Sequence, residues 1–244
     1  MTTTSAATAP VRDPELPGLL LRTERDVLLP LLRATPESAF GFRTACPGWT
    51  VRDVLAHCAA ALTRVVEDRL EEGVFSPESN ERDIAERAGL PLAALLDELE
   101  RGMTGAGPVI AAAGGKLDGV ALGEWVHAGD VREAWGLDGA YAGRGLGYAL
   151  GLLEGVAYRK EMPQIIAEVK GAEGVDGEKL DGWSVPRSLG VPPENGRPAG
   201  RYHGDGPTLI RLYANRPLVG TRYELHGVRE GDLHLFDRPP KLDG

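Results

Sequence analysis

Residues 44–57 read TACPGWTVRDVLAH, a turn-forming segment followed by the first turns of a helix. The Cys-Pro-Gly segment interrupts regular structure, because proline lacks an amide hydrogen and glycine favours turns. Thr50 stands three residues before Asp53, a spacing at which two side chains can satisfy the free amide groups of a helix start. Apolar residues then recur at helical spacing as far as Gly73: Val51, Val54, Leu55, Cys58, Leu62, Val65 and Val66. The stretch therefore predicts an amphipathic helix over residues 50–72.

Helical patterns also dominate the rest of the first two thirds of the chain. Apolar residues at helical spacing predict helices over residues 14–33, 78–88, 91–103, 119–135 and 146–160. Pro30 predicts a kink or an end in the first of these helices. The glycine- and alanine-rich residues 105–115 predict a loop, and the small polar residues 1–12 predict a disordered tail.

The sequence changes character after Pro163, where glycine and proline become frequent and β-like runs appear. Residues 165–169 predict a strand, and residues 223–226 and 233–236 predict a hairpin with a longer loop. Residues 207–214 predict a short helix with proline near its start.

These patterns together predict two domains after the tail. We expect an all-helical domain over residues 13–162 and a small α+β domain over residues 163–244.

Composition and charge exclude several classes of protein. The chain has 244 residues, of which 42% are hydrophobic, enough for a substantial core. Its 36 acidic residues outnumber its 27 basic residues and give a net charge of −9, which argues against nucleic-acid and anionic membrane partners. The first residues lack the basic start and apolar core of a secretory signal, and two cysteines cannot form a disulfide scaffold. We therefore expect a cytoplasmic protein. We also expect a monomer or homodimer.

The helix predicted over residues 119–135 carries polar residues on its apolar side. Glu124 and His127 are one turn apart and point the same way, and Asp130 follows at the flank. A carboxylate and an imidazole that face a core are costly unless something compensates them. A divalent metal would compensate both, because it accepts both as ligands. A buried hydrogen-bonded pair is the alternative interpretation.

His57 is the candidate for a third metal ligand. It lies at the edge of the apolar stripe of its helix, and Ala60 and Ala61 one turn later are small enough to leave space over the imidazole. Two antiparallel helices could bring it opposite Glu124 and His127. Two histidines and a glutamate with an open position suit catalytic zinc, while nickel, iron and manganese also accept these ligand types. An ordinary histidine at the core boundary would show the same pattern.

Three other residues, in or just before the helix predicted over residues 50–72, suggest packing rather than chemistry. Cys46 lies beside Pro47 with no histidine at an obvious spacing for a base, so we expect it to be buried as a small hydrophobic residue. Cys58 falls on the apolar stripe, and we expect Trp49 to pack against the helical bundle.

Two stretches resemble the signatures of the mycothiol-dependent maleylpyruvate isomerase family, a family of DinB-like helical bundles. The first is TACPGWTVRDVLAH, residues 44–57, and the second is GEWVHAGDVREAWG, residues 123–136. They occur in the family's order, and the resemblance covers the chain up to about residue 160. It implies an N-terminal DinB-like four-helix bundle. The C-terminal part resembles more loosely the family's small α/β domain, which is itself similar to sterol-carrier domains.

The resemblance also implies a set of metal ligands. The family's two metal histidines match His57 and His127. The family glutamate stands four residues before the second histidine, where this chain has Gly123, and the acid comes one step later as Glu124. Positions three and four residues back lie on one helical face, so coordination by Glu124 remains feasible.

The chemistry that the resemblance implies depends on a thiol. A divalent metal, usually zinc, binds a low-molecular-weight thiol, mycothiol or a similar compound, and coordination deprotonates it. The thiolate would isomerise or conjugate a small electrophilic substrate. Arg216 resembles a family arginine that would bind a substrate carboxylate as a forked donor, and Asp130 would orient a ligand or bind the cofactor. A metal-binding protein without catalysis and a small-ligand-binding module are the alternatives.

Overall fold

A computed structural model describes residues 9–71, 73–170, 183–193 and 196–236. Every helix predicted before residue 163 is present. They are α1 (Leu16–Ala34), α2 (Val51–Val66), α3 (Pro77–Arg87), α4 (Leu92–Ala112), α5 (Asp118–Ala134) and α6 (Leu146–Arg159). Helices α1, α2, α4 and α5 pack on one another around the apolar core, and α6 packs against α5 and α1. None of the helices in these described ranges is long and apolar enough to cross a membrane.

The start of α2 is built as its sequence predicts. The Thr50 side chain accepts a hydrogen bond from the Asp53 amide, and the Asp53 carboxylate accepts one from the Thr50 amide at 2.8 Å. This reciprocal pair satisfies two amide groups that a helix start would otherwise leave free. The helix ends at Val66, earlier than the sequence predicts, and Asp68 just beyond it adopts a positive φ of 53°.

The predicted loop at residues 105–115 is wrong for most of its length, because α4 continues to Ala112. The glycines there serve a packing purpose. A Cβ at Gly107 would lie 2.8 Å from the Gly18 Cα in α1, so two glycines allow the backbones of α1 and α4 to approach closely. Tertiary packing therefore outweighs the low helix propensity of glycine. Pro30 likewise lies inside α1 without ending it.

Of the predicted N-terminal tail, residues 1–8 lie outside the described residues. Arg12, at the other end of that tail, donates to the buried Asp118 carboxylate at 2.8 Å and to the carbonyls of Ala111 and Ile110. It therefore ties the chain ahead of α1 to the end of α4 and the start of α5.

Within its described residues, the C-terminal part contains a four-stranded mixed sheet and one α-helix. The elements are β1 (Ile165–Lys170), β2 (Arg187–Leu189), β3 (Gly200–Asp205), α7 (Gly206–Tyr213) and β4 (Tyr223–His226). The strand order is β2-β1-β3-β4, with β1 and β3 parallel and the other pairs antiparallel. The Asp205 side chain caps α7 by accepting from the Thr208 amide at 2.7 Å.

The predicted hairpin is wrong. Strand β4 pairs with β3, and the chain after it forms a 3₁₀ turn (Glu230–Leu233) instead of a second strand. Leu233 and Leu235 are completely buried, and the Leu235 amide donates to the Tyr213 carbonyl at 2.7 Å. These leucines therefore anchor the segment against α7 rather than forming one face of a hairpin.

We predict that Gly107→Ala destabilises the protein although alanine favours helices. The added Cβ would meet the α1 backbone at Gly18, and overpacking costs more than the helix propensity returns. The free energy of unfolding in urea should fall by about 1–2 kcal/mol. Gly119→Ala in α5 is the matched control, since its nearest contact would be a comfortable 3.8 Å. Equal effects of the two substitutions would contradict the close α1–α4 approach.

Candidate metal centre

Helices α2 and α5 bring two histidines face to edge. The ring centroids of His57 and His127 are 5.2 Å apart, with the ring planes at 83°. The Trp49 ring lies beside both, 5.1 Å from His57 and 6.3 Å from His127. Its indole N–H donates to Glu81 of α3 at 2.8 Å. Trp49 therefore packs on the bundle, as expected, and also adjoins the histidine pair. The sequence did not indicate this second contact.

His57 is held as a neutral imidazole. Burial and the neighbouring His127 lower its pKa to about 3. Its Nδ1 atom is buried and has no hydrogen-bond partner among the described residues. A neutral imidazole with an unsatisfied buried nitrogen is in the protonation state that a metal ion requires.

His127 is oriented by Asp130. Its Nδ1 atom lies 2.9 Å from Oδ2 of the carboxylate. An ionised carboxylate can only accept a hydrogen bond, so the proton of the neutral imidazole is on Nδ1 and the lone pair is on Nε2. A carboxylate behind a histidine is the usual arrangement for fixing the tautomer of a metal ligand.

Asp130 is fully buried and receives donors on both oxygens. Arg216 donates through Nε to Oδ1 at 2.7 Å and through Nη2 to Oδ2 at 2.8 Å, and the Tyr141 hydroxyl donates to Oδ1 at 2.6 Å. Burial alone would raise the pKa of Asp130, but the hydrogen bonds from His127 and Arg216, together with the positive charge of Arg216, hold that pKa well below its usual range. Asp130 is thus an anion at neutral pH.

The guanidinium fork of Arg216 faces Asp130 rather than a free position. Its remaining nitrogen, Nη1, donates to the Ala214 carbonyl at 2.9 Å, and Nη2 also lies 3.3 Å from the Cys46 sulfur. The forked geometry that the family resemblance implied for a substrate carboxylate is here used for a carboxylate of the protein. The ion pair joins α5 to the segment that follows α7.

Cys46 lies within this charged cluster. Its Sγ atom is 3.7 Å from His127 Nδ1 and donates to Asp130 Oδ2 at 3.2 Å. Cys46 is buried, as expected, and it also lies beside a histidine that sequence spacing did not indicate, because His127 is 81 residues further along the chain. Burial is the main cause that raises the pKa of Cys46 to about 12, so the sulfur remains a thiol.

Among the described residues, Cys46, His127 and Asp130 have ligand atoms close enough to share a metal ion, with one atom from each within 4.8 Å of the others. Neither His57 nor Glu124 belongs to that group. However, the Arg216 guanidinium already contacts both Asp130 and Cys46. A cation between these three residues would be repelled by that positive charge.

Glu124 lies one turn before His127, but its carboxyl group turns elsewhere. It shares a hydrogen bond with the Cys58 thiol, and burial raises the pKa of Glu124 to about 8. At Gly123, the position of the family glutamate, a Cβ would lie 3.7 Å from the Phe236 ring. The sequence thus places the acid beside the histidines without showing which neighbour it binds.

The two histidines suit a divalent metal. At a zinc–nitrogen distance of about 2.0 Å and a tetrahedral angle, two imidazole centroids on one ion are separated by about 5 Å. The observed separation is 5.2 Å. The unpartnered His57 Nδ1 and the tautomer of His127 fit the same interpretation. Of the three ligands predicted from the sequence, the structure brings together the two histidines and leaves Glu124 on Cys58.

Part of the chain matches a known family of domains. Residues 21–136 match the family model described as the mycothiol maleylpyruvate isomerase N-terminal domain. These residues belong to that domain family. Histidines 57 and 127, on which the resemblance rests, both lie inside the matched range.

Two solved structures share the fold of nearly the whole chain. They are crystal structures of the mycothiol-dependent maleylpyruvate isomerase, one of them of a histidine-to-alanine mutant. Each alignment includes 90% of this chain and 96% of the solved chain. The TM-scores are 0.53 and 0.52, and the sequence identities are 15% and 16%. A helical domain followed by a small α/β part is therefore the fold of this chain. Among curated proteins, none matches it significantly.

We predict that Arg216→Gln strongly destabilises the protein, because it leaves the Asp130 carboxylate buried without its cation. Breaking such a pair from one side costs about 3–5 kcal/mol, which urea unfolding at pH 7 would measure. Asp130→Asn combined with Arg216→Gln should recover part of the loss, since no uncompensated charge remains. Arg229→Gln is the control, because its ion pair with Asp232 is exposed. A loss no larger than that of the control would show that the buried pair is not structural.

We predict that Glu124→Gln changes the pH dependence of stability in chelator-treated protein. Burial raises the folded-state pKa of Glu124 to about 8. The protonated carboxyl group therefore contributes its full stability to the folded state below its unfolded-state pKa, and this stability is lost as the pH rises to 8. The variant should match the wild type at pH 5 and exceed it by about 2–4 kcal/mol at pH 8. The exposed Glu224→Gln should leave the profile unchanged. Parallel profiles for Glu124→Gln and wild type would place an ionised carboxylate at this position.

Proposed function

We propose that this chain is a metal-dependent enzyme that uses a low-molecular-weight thiol to isomerise or conjugate a small electrophilic substrate. The observation that carries the proposal is the histidine pair. One imidazole is neutral, buried and unpartnered at Nδ1, and the other is fixed by Asp130, at a separation that two ligands of one ion would have. The matched domain family and the shared fold support a mycothiol-like thiol as the cofactor.

His57 and His127 would hold the divalent metal, with Glu124 as the third ligand. Zinc suits these nitrogen and oxygen donors best, and nickel, iron and manganese accept them too. When bound, the metal would deprotonate the thiol of the cofactor at neutral pH. The raised pKa of Glu124 reflects burial, and a nearby dication would favour its ionised form.

The residues of the chain itself would orient and shield the reacting groups. Asp130 holds the proton on His127 Nδ1, so that Nε2 keeps its lone pair. The Trp49 ring lies beside both imidazoles and would limit the access of water to them. Arg216 holds Asp130 in place. A cytoplasmic location and a monomeric or homodimeric state remain predictions from the sequence.

A specific observation favours a second candidate, a metal-binding protein without catalysis. This chain has Gly123 where the family has its glutamate, and Glu124 is engaged with Cys58. A site with a different ligand set could bind metal without leaving a position for a thiol. A small-ligand-binding module is the remaining alternative, and it predicts that ligand binding survives His57→Ala.

Elemental analysis of purified protein tests the proposal directly. We expect about one divalent metal per chain in the wild type, since three protein ligands make a catalytic site. His57→Ala and His127→Ala should each lose it, because each removes one ligand. The control is His226→Ala, whose side chain is 71% exposed in β4. A metal-free wild type that takes up no added zinc, nickel, iron or manganese would refute the proposal.

The same preparations separate an enzyme from a metal-binding protein. In a cobalt-substituted form, a small thiol should change the visible spectrum if the metal has an open position. Each histidine variant should lack the response. A wild-type spectrum that stays constant at saturating thiol would favour a closed site and count against the thiol mechanism.

A further inference from the structure

Tyr141 lies outside both sequence motifs, in the segment between α5 and α6, yet it reaches the centre of the site. Its side chain is 1% exposed. Its hydroxyl donates to Asp130 Oδ1 at 2.6 Å, the shortest hydrogen bond from an uncharged group to that carboxylate. The same carboxylate holds His127 through its other oxygen.

The position of the Tyr141 ring is set from two sides. On one side, a Cβ at Gly129 would lie 2.4 Å from the ring, so only glycine leaves room for the ring against α5. On the other side, the Arg211 guanidinium of α7 lies 4.3 Å from the ring centroid, within the range of a cation–π interaction. Arg211 is itself held by Glu133 of α5 at 2.6 Å. The ring therefore has little freedom to move.

The division of donors between the two carboxylate oxygens gives Tyr141 its effect. Oδ1 accepts hydrogen bonds from the Tyr141 hydroxyl and from Arg216 Nε. Oδ2 accepts hydrogen bonds from Arg216 Nη2, the Cys46 thiol and His127 Nδ1. Two donors on Oδ1 resist rotation of the carboxylate about its side-chain bonds. Oδ2 consequently stays directed at His127 Nδ1. Burial and the adjacent Asp130 raise the pKa of Tyr141, so its hydroxyl keeps the proton that it donates.

We propose that Tyr141 is a positioning residue that orients the imidazole of His127 through Asp130, from a position that Gly129 makes available. Orientation of His127 is a property of the protein without metal. Its consequence for metal affinity rests on the proposed function. The two can therefore be measured separately.

The test is Tyr141→Phe, which removes one oxygen and keeps the ring against Gly129 and Arg211. Tyr213→Phe is the matched control, because Tyr213 is equally buried and its hydroxyl has no hydrogen-bond partner among the described residues. Nitrogen-15 NMR of the chelator-treated proteins reports the His127 tautomer, with His127→Ala assigning the signals. We expect Tyr141→Phe to shift or broaden those signals and Tyr213→Phe to leave them unchanged.

Zinc affinity, measured by competition with a chromophoric chelator, gives the second readout. Groups behind a metal ligand typically change affinity by about 10–100-fold. Tyr141 acts one residue further from the metal than Asp130 does, and it shares Oδ1 with Arg216. We therefore expect Tyr141→Phe to bind zinc about 3–10-fold more weakly than Tyr213→Phe does. Gly129→Ala displaces the ring by a different route and should act in the same direction, whereas Gly119→Ala in the same helix should not.

The outcomes distinguish the two proposals. Unchanged His127 signals in Tyr141→Phe would overturn the positioning role whether or not the protein binds metal. Altered signals with unchanged zinc affinity would overturn the link between Tyr141 and the metal site. A wild type that binds no metal would refute the proposed function, and the NMR comparison would still decide the positioning role.

Discussion

The buried ion pair between Asp130 and Arg216 is the interaction on which the site depends. A carboxylate with no exposed surface is tolerated only when donors replace its lost water, and here Arg216, Tyr141, His127 and Cys46 do so. Because Arg216 follows α7 and Asp130 lies in α5, the pair also joins the C-terminal part to the helical domain. The same carboxylate therefore orients a candidate metal ligand and makes one of the contacts between the two parts.

Charge balance within the cluster indicates where a metal would bind. Asp130 and Arg216 neutralise each other, and Cys46 beside them remains a protonated thiol. No negative charge is left there for a dication, although the ligand atoms are close enough. The surroundings differ on the side of His127 that faces His57. His57 is neutral, and its Nδ1 atom has no hydrogen-bond partner, arginine included, in the part of the chain that the structure describes. A dication would meet less repulsion near His57, and an anionic thiol would supply the negative charge that two imidazoles lack.

The sequence predicted those features of the fold and site that depend on local spacing. The capping box of α2 and the shared face of Glu124 and His127 follow from helical geometry alone, and both are present. The contacts of Cys46 were not predictable in this way, because Arg216 lies 170 residues away in sequence. The end of α4 was missed for a similar reason. Gly107 weakens the helix locally, but its approach to Gly18 is visible only after the two helices are packed.

Local spacing is least able to predict the contacts of the acidic residue in α5. One residue along a helix turns a side chain by about 100°, so Glu124 and Gly123 occupy different sectors although both lie within one turn of His127. Gly123 is the position in line with His127 and Asp130, and there the Phe236 ring approaches the backbone. Glu124 is turned towards α2 instead, where it meets Cys58, the residue after His57. The Glu124 carboxyl group thus lies beside the residue that follows His57 in α2.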